Sequence, residues 1–202
     1  VKLKGKQESE INGKGPIISD EEEKDFLDKL AGLNEGDTVI ISGSAAPGLS
    51  KDIFDQIIKT CKDKKADFVI DTSGQALRKA IESKPLLIKP NFDEISELFD
   101  QEFTSKEEII PYGKKCLDMG AQYAIVSMGG DGALFFDGDN VYYAPAVKGV
   151  LVNSVGAGDS MLAGFVGSIK SGLEPLEAFK WSVASGTGTA FCQDIATKDQ
   201  ID

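Results

Sequence analysis

Hydrophobic positions along the chain alternate between short continuous runs and longer stretches with helical spacing. Four apolar runs, each followed by small or polar residues, lie at 37–43, 67–74, 85–91 and 122–130. Between them, apolar residues recur at steps of three and four, as in the helix predicted after Ser19 and in the one that places Ile57 and Cys61 on a single face. Apolar strands that alternate with amphipathic helices predict an α/β fold, with a mostly parallel sheet and helices on both faces.

Three segments depart from this alternation. Pro111 lies within a helical stretch and predicts a kink or a break there. After Gly132, the pattern predicts two strands joined by a tight turn at Asp137–Asn140, and then two further helices. The first dozen residues, VKLKGKQESEIN, predict a lone alternating strand without a partner in this chain, ending at an Asn-Gly turn.

Composition narrows the function classes. The 202 residues fit a single domain, and no apolar run reaches the roughly 18 residues of a membrane span, so no membrane association is predicted. A net charge of -11 argues against nucleic-acid binding. The three scattered cysteines predict reduced thiols and a cytoplasmic protein. The absence of histidine excludes catalysis by an imidazole base and most zinc sites.

The segment VNSVGAGDSMLAGF carries the strongest candidate chemistry. Gly156, Ala157 and Gly158 precede a predicted helix, whose free backbone N–H groups can form an anion hole. Asp159, in the first turn, would then lie beside the anion. It either stabilises the helix N-terminus or takes a proton from a hydroxyl that attacks phosphorus.

Other candidates follow the predicted strands, where ligands of parallel sheets gather. Ser127 precedes a glycine-rich turn, which is either a nucleotide-binding turn or a flexible hairpin. Asn91 and Glu94 follow Lys89 at a spacing that suits either water-mediated Mg²⁺ binding or a helix cap. Ser44 lies in a small-residue turn after another strand. The Gly-Lys-Ser/Thr signature of a Walker A loop is absent.

Six ordered motifs together resemble the ribokinase-like sugar kinases of the PfkB type. They are SGSAAPG, DTSGQAL, KPNFDE, VSMGGDGA, VNSVGAGDSMLAGF and ASGTGTAF, and they cover nearly the whole chain. The resemblance implies a ribokinase-like, Rossmann-like fold, in which residues 1–202 form the α/β nucleotide-binding portion of one kinase domain and residues 1–12 a strand returning from a lid. It implies that the N-terminal strands and most of the lid are missing.

The resemblance also assigns roles to residues. It implies ATP and Mg²⁺ as cofactors, Asp159 as the catalytic base that also contacts the sugar, and Gly156, Ala157 and Gly158 as the anion hole. Asn91 and Glu94 would organise Mg²⁺, and Ser44 would lie near the sugar phosphate. Ser185, Gly186 and Gly188 would back the adenine. The remaining ATP-binding residues implied by the resemblance are Ser127, Gly129, Gly130, Asp131, Gly132, Gly158 and Lys89.

Within the family, the motifs are most similar to members that phosphorylate fructose 1-phosphate at its C6 hydroxyl. Members that act on tagatose 6-phosphate or fructose 6-phosphate are the alternatives, and a non-catalytic nucleotide- or sugar-phosphate-binding module is an alternative of another class. The resemblance implies the C-terminal two-thirds of a kinase that forms a possible homodimer, and we expect the 202-residue piece alone to be inactive.

Overall fold

A computed structural model describes the backbone of Lys2–Lys4 and Glu8–Glu10 and all of residues 15–201. The chain falls into two compact units. The first unit comprises Val1–Asp37 and Ser44–Ala66, and the second unit comprises Thr38–Gly43 and Asp67–Asp202. Among the helices of the described ranges, none combines the length and the apolar composition needed to cross a bilayer.

A six-stranded sheet organises the second unit. Its strands follow one another in the order β3 (Thr38–Ser42), β4 (Asp67–Asp71), β5 (Leu87–Ile88), β6 (Tyr123–Ser127), β7 (Ala133–Asp137) and β8 (Asn140–Ala144). The first four of these strands are parallel to their neighbours, whereas β7 and β8 run antiparallel. The predicted parallel sheet and the predicted tight hairpin are therefore both confirmed.

Helices cover both faces of this sheet because successive strand residues point to opposite sides. Phe135 packs with Phe165 of α6 (Ala157–Lys170) and Phe179 of α7 (Pro175–Ala190), and all three rings are buried. Phe136, the next residue of β7, packs instead against Gly113 of α5 (Lys106–Met119). The remaining helices of this unit are α3 (Gly74–Ile81), α4 (Phe92–Phe99), α5 (Lys106–Met119) and α8 (Lys198–Ile201).

The first unit contains a hairpin and two helices. Strands β1 (Lys2–Lys4) and β2 (Glu8–Glu10) pair with each other in antiparallel register. The prediction of one lone strand is therefore wrong, because Lys2–Lys4 has its partner in Glu8–Glu10 of the same segment. The predicted Asn12–Gly13 turn lies outside the described residues.

The two helices of the first unit confirm the predicted start of one helix and the predicted apolar face of the other. Helix α1 (Asp20–Leu30) begins at a capping box in which Ser19 and Glu22 each accept a bond from the other's backbone N–H. The carboxylate of Glu23, buried in α1, accepts bonds from the backbone N–H and the hydroxyl of Ser50. Helix α2 (Ile53–Lys64) buries its predicted apolar face, including Ile57.

Pro111 does not interrupt helix α5, so of the predicted kink or break the break is wrong and the kink stays a prediction. The helix runs through it from Lys106 to Met119. Proline at this position removes a single N–H donor to the first turn, and its ring is exposed to solvent. The packing of Ile109, Gly113 and Cys116, all buried, is enough to keep the two parts of the helix in one segment.

Two helical glycines with opposite surroundings test this packing. A Cβ added to Gly113 would lie 2.1 Å from the ring of Phe136, whereas one added to Gly167 meets nothing within 4 Å. We expect Gly113→Ala to lower the free energy of unfolding by about 1–3 kcal/mol through overpacking. The control Gly167→Ala should raise it by about 0.5–1 kcal/mol because alanine favours the helix. Urea denaturation measures both, and a Gly113→Ala variant as stable as the parent would contradict the packing.

Candidate active site

The candidate residues converge at the carboxyl ends of the parallel strands. Ser42, Asp71 and Ser127 are the last residues of β3, β4 and β6, and Lys89 follows β5 directly. Polar groups at strand ends escape burial within the sheet, and parallel pairing brings these ends to one edge. The motifs that the sequence singled out on separate segments of the second unit therefore share one edge of the fold.

Asp159 lies in the first turn of α6 and reaches this edge. Gly156 caps the helix with φ +79°, a left-handed conformation that favours glycine. The hydroxyl of Ser42 donates to Oδ1 of Asp159 at 3.1 Å, and both residues are exposed. The carboxylate is thus oriented by a side chain of β3 and remains open to solvent, as a proton acceptor for an incoming hydroxyl must be.

Ser42 was not among the predicted site residues. The sequence analysis selected Ser44, which belongs to the first unit, and its role near the sugar phosphate stays a prediction. The available signal was position: Ser42 is the last residue with a polar side chain in the apolar run 37–43, at the end that faces the ligand edge.

The residues of the predicted anion hole lie at the start of α6. Helix α6 begins at Ala157, so Gly158 and Asp159 contribute first-turn amides. The N–H of Ala157 donates to the carbonyl of Ser154 at 3.3 Å, so it must share or release that bond to contact an anion. The helix dipole favours negative charge at this end.

Lys89 is buried at the same place. Only 5% of the residue is exposed, and its ammonium forms an ion pair with Asp71 at 3.3 Å. A Cβ added to Gly158 would lie 3.1 Å from Nζ of Lys89, so the ammonium lies directly against the start of α6. Asp71, like Ser42, was missed by the sequence analysis, although it ends the strand that carries the DTSG motif.

Asn91 and Glu94 cap helix α4. The Asn91 side chain accepts from the Glu94 N–H at 2.9 Å, and Glu94 accepts from the Asn91 N–H at 2.8 Å. The capping alternative raised by the sequence is therefore correct. Burial raises the pKa of the Glu94 carboxyl, the neighbouring carboxylates of Asp71 and Glu97 act in the same direction, and Lys89 opposes them.

A divalent cation suits this arrangement. Within residues 15–201, no group of three histidine, cysteine or acidic side chains forms a complete metal cage. Mg²⁺ is commonly held by one or two carboxylates together with substrate phosphates, and Glu94 already lies among like charges that a cation would offset. The residues present fit a Mg²⁺ ion that arrives with a phosphate ligand.

The glycine-rich turn connects β6 to β7. Ser127 ends β6, Gly129–Asp131 form one 3₁₀ turn, and the carbonyl of Asp131 accepts from the Tyr143 hydroxyl at 3.1 Å. Gly132 has φ +87°, and a Cβ there would lie 2.0 Å from the carbonyl oxygen of Ala144. Gly129 and Gly130, by contrast, have open space around them, which leaves their backbone accessible to a ligand.

The small residues of α7 pack inward against α6. A Cβ on Gly186 would lie 2.4 Å from Cγ of Met161 and 3.0 Å from the carbonyl oxygen of Ala157. Ser185 is buried against Gly164, and Gly188 lies beside Ala196. These positions explain the small side chains by helix packing, and their predicted role behind the adenine stays a prediction.

Comparison with known proteins identifies the family. A model of the pfkB family carbohydrate kinases matches residues 1–199. The chain belongs to this family. It is 50% identical to a 1-phosphofructokinase of Bacillus subtilis, covering 100% of this chain and 66% of that protein. It is 35% identical to a D-tagatose-1-phosphate kinase of Bacillus licheniformis, covering 97% and 65%. The chain thus spans just under two-thirds of the length of these relatives.

Solved structures of the family share the fold. A Staphylococcus aureus protein provisionally named a phosphofructokinase superposes with a TM-score of 0.86 at 40% identity, covering 99% of this chain and 65% of that one. Phosphofructokinase-2 from Escherichia coli gives a TM-score of 0.90 at 24% identity over 96% of this chain and 64% of that one. Arabidopsis thaliana ribokinase gives 0.71 at 20% identity, covering 92% and 58%. The predicted ribokinase-like fold is confirmed.

The two capping boxes offer a test of the electrostatics. Burial raises the pKa of Glu94, whereas hydrogen bonds from Ser19 lower the pKa of Glu22. A carboxyl group whose pKa is raised by folding contributes its full stabilisation of the folded state below the ordinary glutamate pKa. This contribution to the free energy of unfolding is lost as the pH rises through the raised pKa. We therefore expect Glu94→Gln, which keeps a capping side chain, to gain stability relative to the parent between about pH 4 and about pH 8.

The control Glu22→Gln should behave in the opposite way. A carboxyl group whose pKa is lowered by folding stabilises the folded state above the ordinary glutamate pKa. This contribution is lost as the pH falls through the lowered pKa. This variant should therefore lose stability relative to the parent as the pH rises towards about 5, and the difference should then stay constant at higher pH. Urea midpoints across the range measure both, and differences of the same sign for the two variants would show that burial does not govern Glu94.

Proposed function

We propose that the full-length protein transfers the γ-phosphoryl group of ATP to the C6 hydroxyl of fructose 1-phosphate, giving fructose 1,6-bisphosphate and ADP. The observation that carries this proposal is the Asp159 carboxylate, exposed in the first turn of α6 and held by the Ser42 hydroxyl at 3.1 Å. An exposed first-turn carboxylate suits a helix N-terminus, but beside a bound phosphoryl group it would repel like charge unless it had a chemical task. Accepting a proton during phosphoryl transfer is such a task.

The reaction follows from this placement. The C6 oxygen of the sugar attacks the γ-phosphorus, a new P–O bond forms, and the bond to the bridging oxygen of ADP breaks. The hydroxyl proton passes to Asp159, whose other hydrogen bond to Ser42 keeps its carboxylate oriented. The amides of Gly158 and its neighbours, with the Lys89 ammonium beside them, stabilise the charge on the transferred group.

The nucleotide and the metal occupy the neighbouring strand ends in this proposal. The backbone of Gly129 and Gly130, which is open on its outer side, would contact ATP together with Ser127. Asn91 and Glu94 would hold Mg²⁺ through water and the phosphates. Bound there, the ion supplies positive charge that neutralises the phosphate oxygens.

The choice of sugar rests on the relatives. The relatives at 50% and 40% identity are named 1-phosphofructokinases, and those at 35% and 30% are named D-tagatose-1-phosphate kinases. Fructose 1-phosphate is therefore our first candidate, and the tagatose phosphates and fructose 6-phosphate are the alternatives. The location in the cytoplasm and assembly into a homodimer stay predictions.

A substrate panel tests the choice of sugar. Full-length protein with MgATP should form ADP fastest, measured as kcat/KM, with fructose 1-phosphate. Tagatose 1-phosphate, tagatose 6-phosphate and fructose 6-phosphate are the matched alternatives, since each differs in one stereocentre or in the site of the existing phosphate, or in both. A higher kcat/KM for one of them would replace the proposed sugar, and no ADP with any of them would favour a non-catalytic binding module.

Substitution of Asp159 tests the proton acceptor. Asp159→Asn keeps the shape of the side chain and its bond to Ser42 but removes the base, so kcat should fall at least about a hundredfold. Asp20→Asn, in the exposed first turn of α1, is the matched control and should leave kcat unchanged. A fall in kcat of less than about a hundredfold for Asp159→Asn would rule out the general-base role.

A further inference from the structure

The ion pair between Lys89 and Asp71 is buried. The Lys89 side chain is 6% exposed and that of Asp71 is 16% exposed, whereas the surface pairs Lys24–Asp28, Lys59–Asp63 and Lys170–Asp67 have both side chains at least 35% exposed. Removing an ammonium from water is costly, and a buried pair is weak evidence of added stability. The burial therefore calls for a role other than holding the fold together.

Strand register places the two residues side by side. Ile70 of β4 is the register partner of Ile88 in β5. Asp71 and Lys89 are the residues that follow these two along the sequence. The backbone N–H of Lys89 still donates to the carbonyl of Ile70, which keeps the alignment one residue beyond β5. The pairing thus fixes the base of the lysine side chain, and the Asp71 carboxylate fixes its end.

The Lys89 ammonium is held where a phosphate would arrive. Its Nζ lies 3.1 Å from the position that a Cβ on Gly158 would occupy, at the first turn of the helix that carries Asp159. A free lysine side chain would have to be ordered when the ligand binds, whereas this one is ordered beforehand. Lysine has three donors, so one can bond to Asp71 while another points to a phosphoryl oxygen.

We propose that Asp71 is a positioning residue that acts through Lys89. Its carboxylate holds the ammonium against Gly158, so that the positive charge is already in place when the γ-phosphoryl group moves. This inference rests on the proposed kinase function. Glu94 also attracts Lys89, so the ion pair with Asp71 decides which of these two carboxylates holds the ammonium.

A double-mutant cycle in the full-length protein tests the proposal. Asp71→Asn should lower kcat and kcat/KM equally, by about tenfold to a hundredfold, because the displaced charge is needed in the transition state. Lys89→Met should lower them at least as much. In the double variant, Asp71→Asn should add no further loss to Lys89→Met, since a residue that acts only through Lys89 has nothing left to position.

The same double-mutant cycle also provides a control for effects on folding. Asp71→Asn alone leaves a buried ammonium without its carboxylate, and it should lower the urea midpoint. The double variant removes the charge, so its midpoint should recover while its kcat does not. The comparison of the double variant with Lys89→Met alone remains valid even if the single Asp71→Asn variant does not fold.

The Asp67–Lys170 pair provides a matched control. Asp67 is at the opposite end of β4 and pairs with Lys170 at 2.7 Å on the surface. Asp67→Asn should leave kcat and KM unchanged.

The proposal is overturned if the two losses add in the double variant, or if Asp71→Asn changes only the Mg²⁺ concentration required for half-maximal rate. An Asp159→Asn variant with full activity would instead overturn the kinase mechanism itself, so the two failures are distinguishable.

Discussion

The close packing of α6 against α7 fixes the point at which α6 begins. Gly164 lies against Ser185 and the backbone of Trp181, and Gly186 lies against Met161, so the two helices approach at the distance of glycine contacts. A buried hydrogen bond between the hydroxyls of Ser160 and Thr189 joins the first turn of α6 to the end of α7. The amides and the carboxylate at the start of α6 are therefore placed by the core of the second unit and do not depend on a flexible loop.

The second constraint is the sheet edge that faces this helix. Four parallel strands end together there, and each end contributes one polar side chain or the backbone of a turn. Because the interiors of these strands are apolar, the polar groups of this edge lie at the last residue of a strand or directly after it. The Ser42–Asp159 bond joins this edge to α6, and Lys89 fills the space next to Gly158. The Asp159 carboxylate, the Lys89 ammonium and the first-turn amides of α6 thus lie on rigid elements, which limits the reorganisation that the proposed catalysis would require.

Much of this arrangement could be predicted from sequence because its causes are local. Alternating apolar runs and helical spacing determined the sheet with its helices, and the Gly-Ala-Gly-Asp junction determined the start of α6. The errors arose where tertiary packing or chain pairing outweighed a local rule. Pro111 remains within a helix because the buried residues on either side of it pack on one sheet face, and the first residues pair with each other as a hairpin.

The sequence by itself determined which residue types follow each strand, since capping boxes, glycine turns and strand ends depend on near neighbours. Only the tertiary structure decided which of them meet. Asp159 contacts Ser42 across 117 positions of sequence, and Asp71 holds Lys89 through the register of two strands. Such contacts depend on the order of strands in the sheet and on the packing of helices, and the spacing of residues along the chain does not encode either one directly.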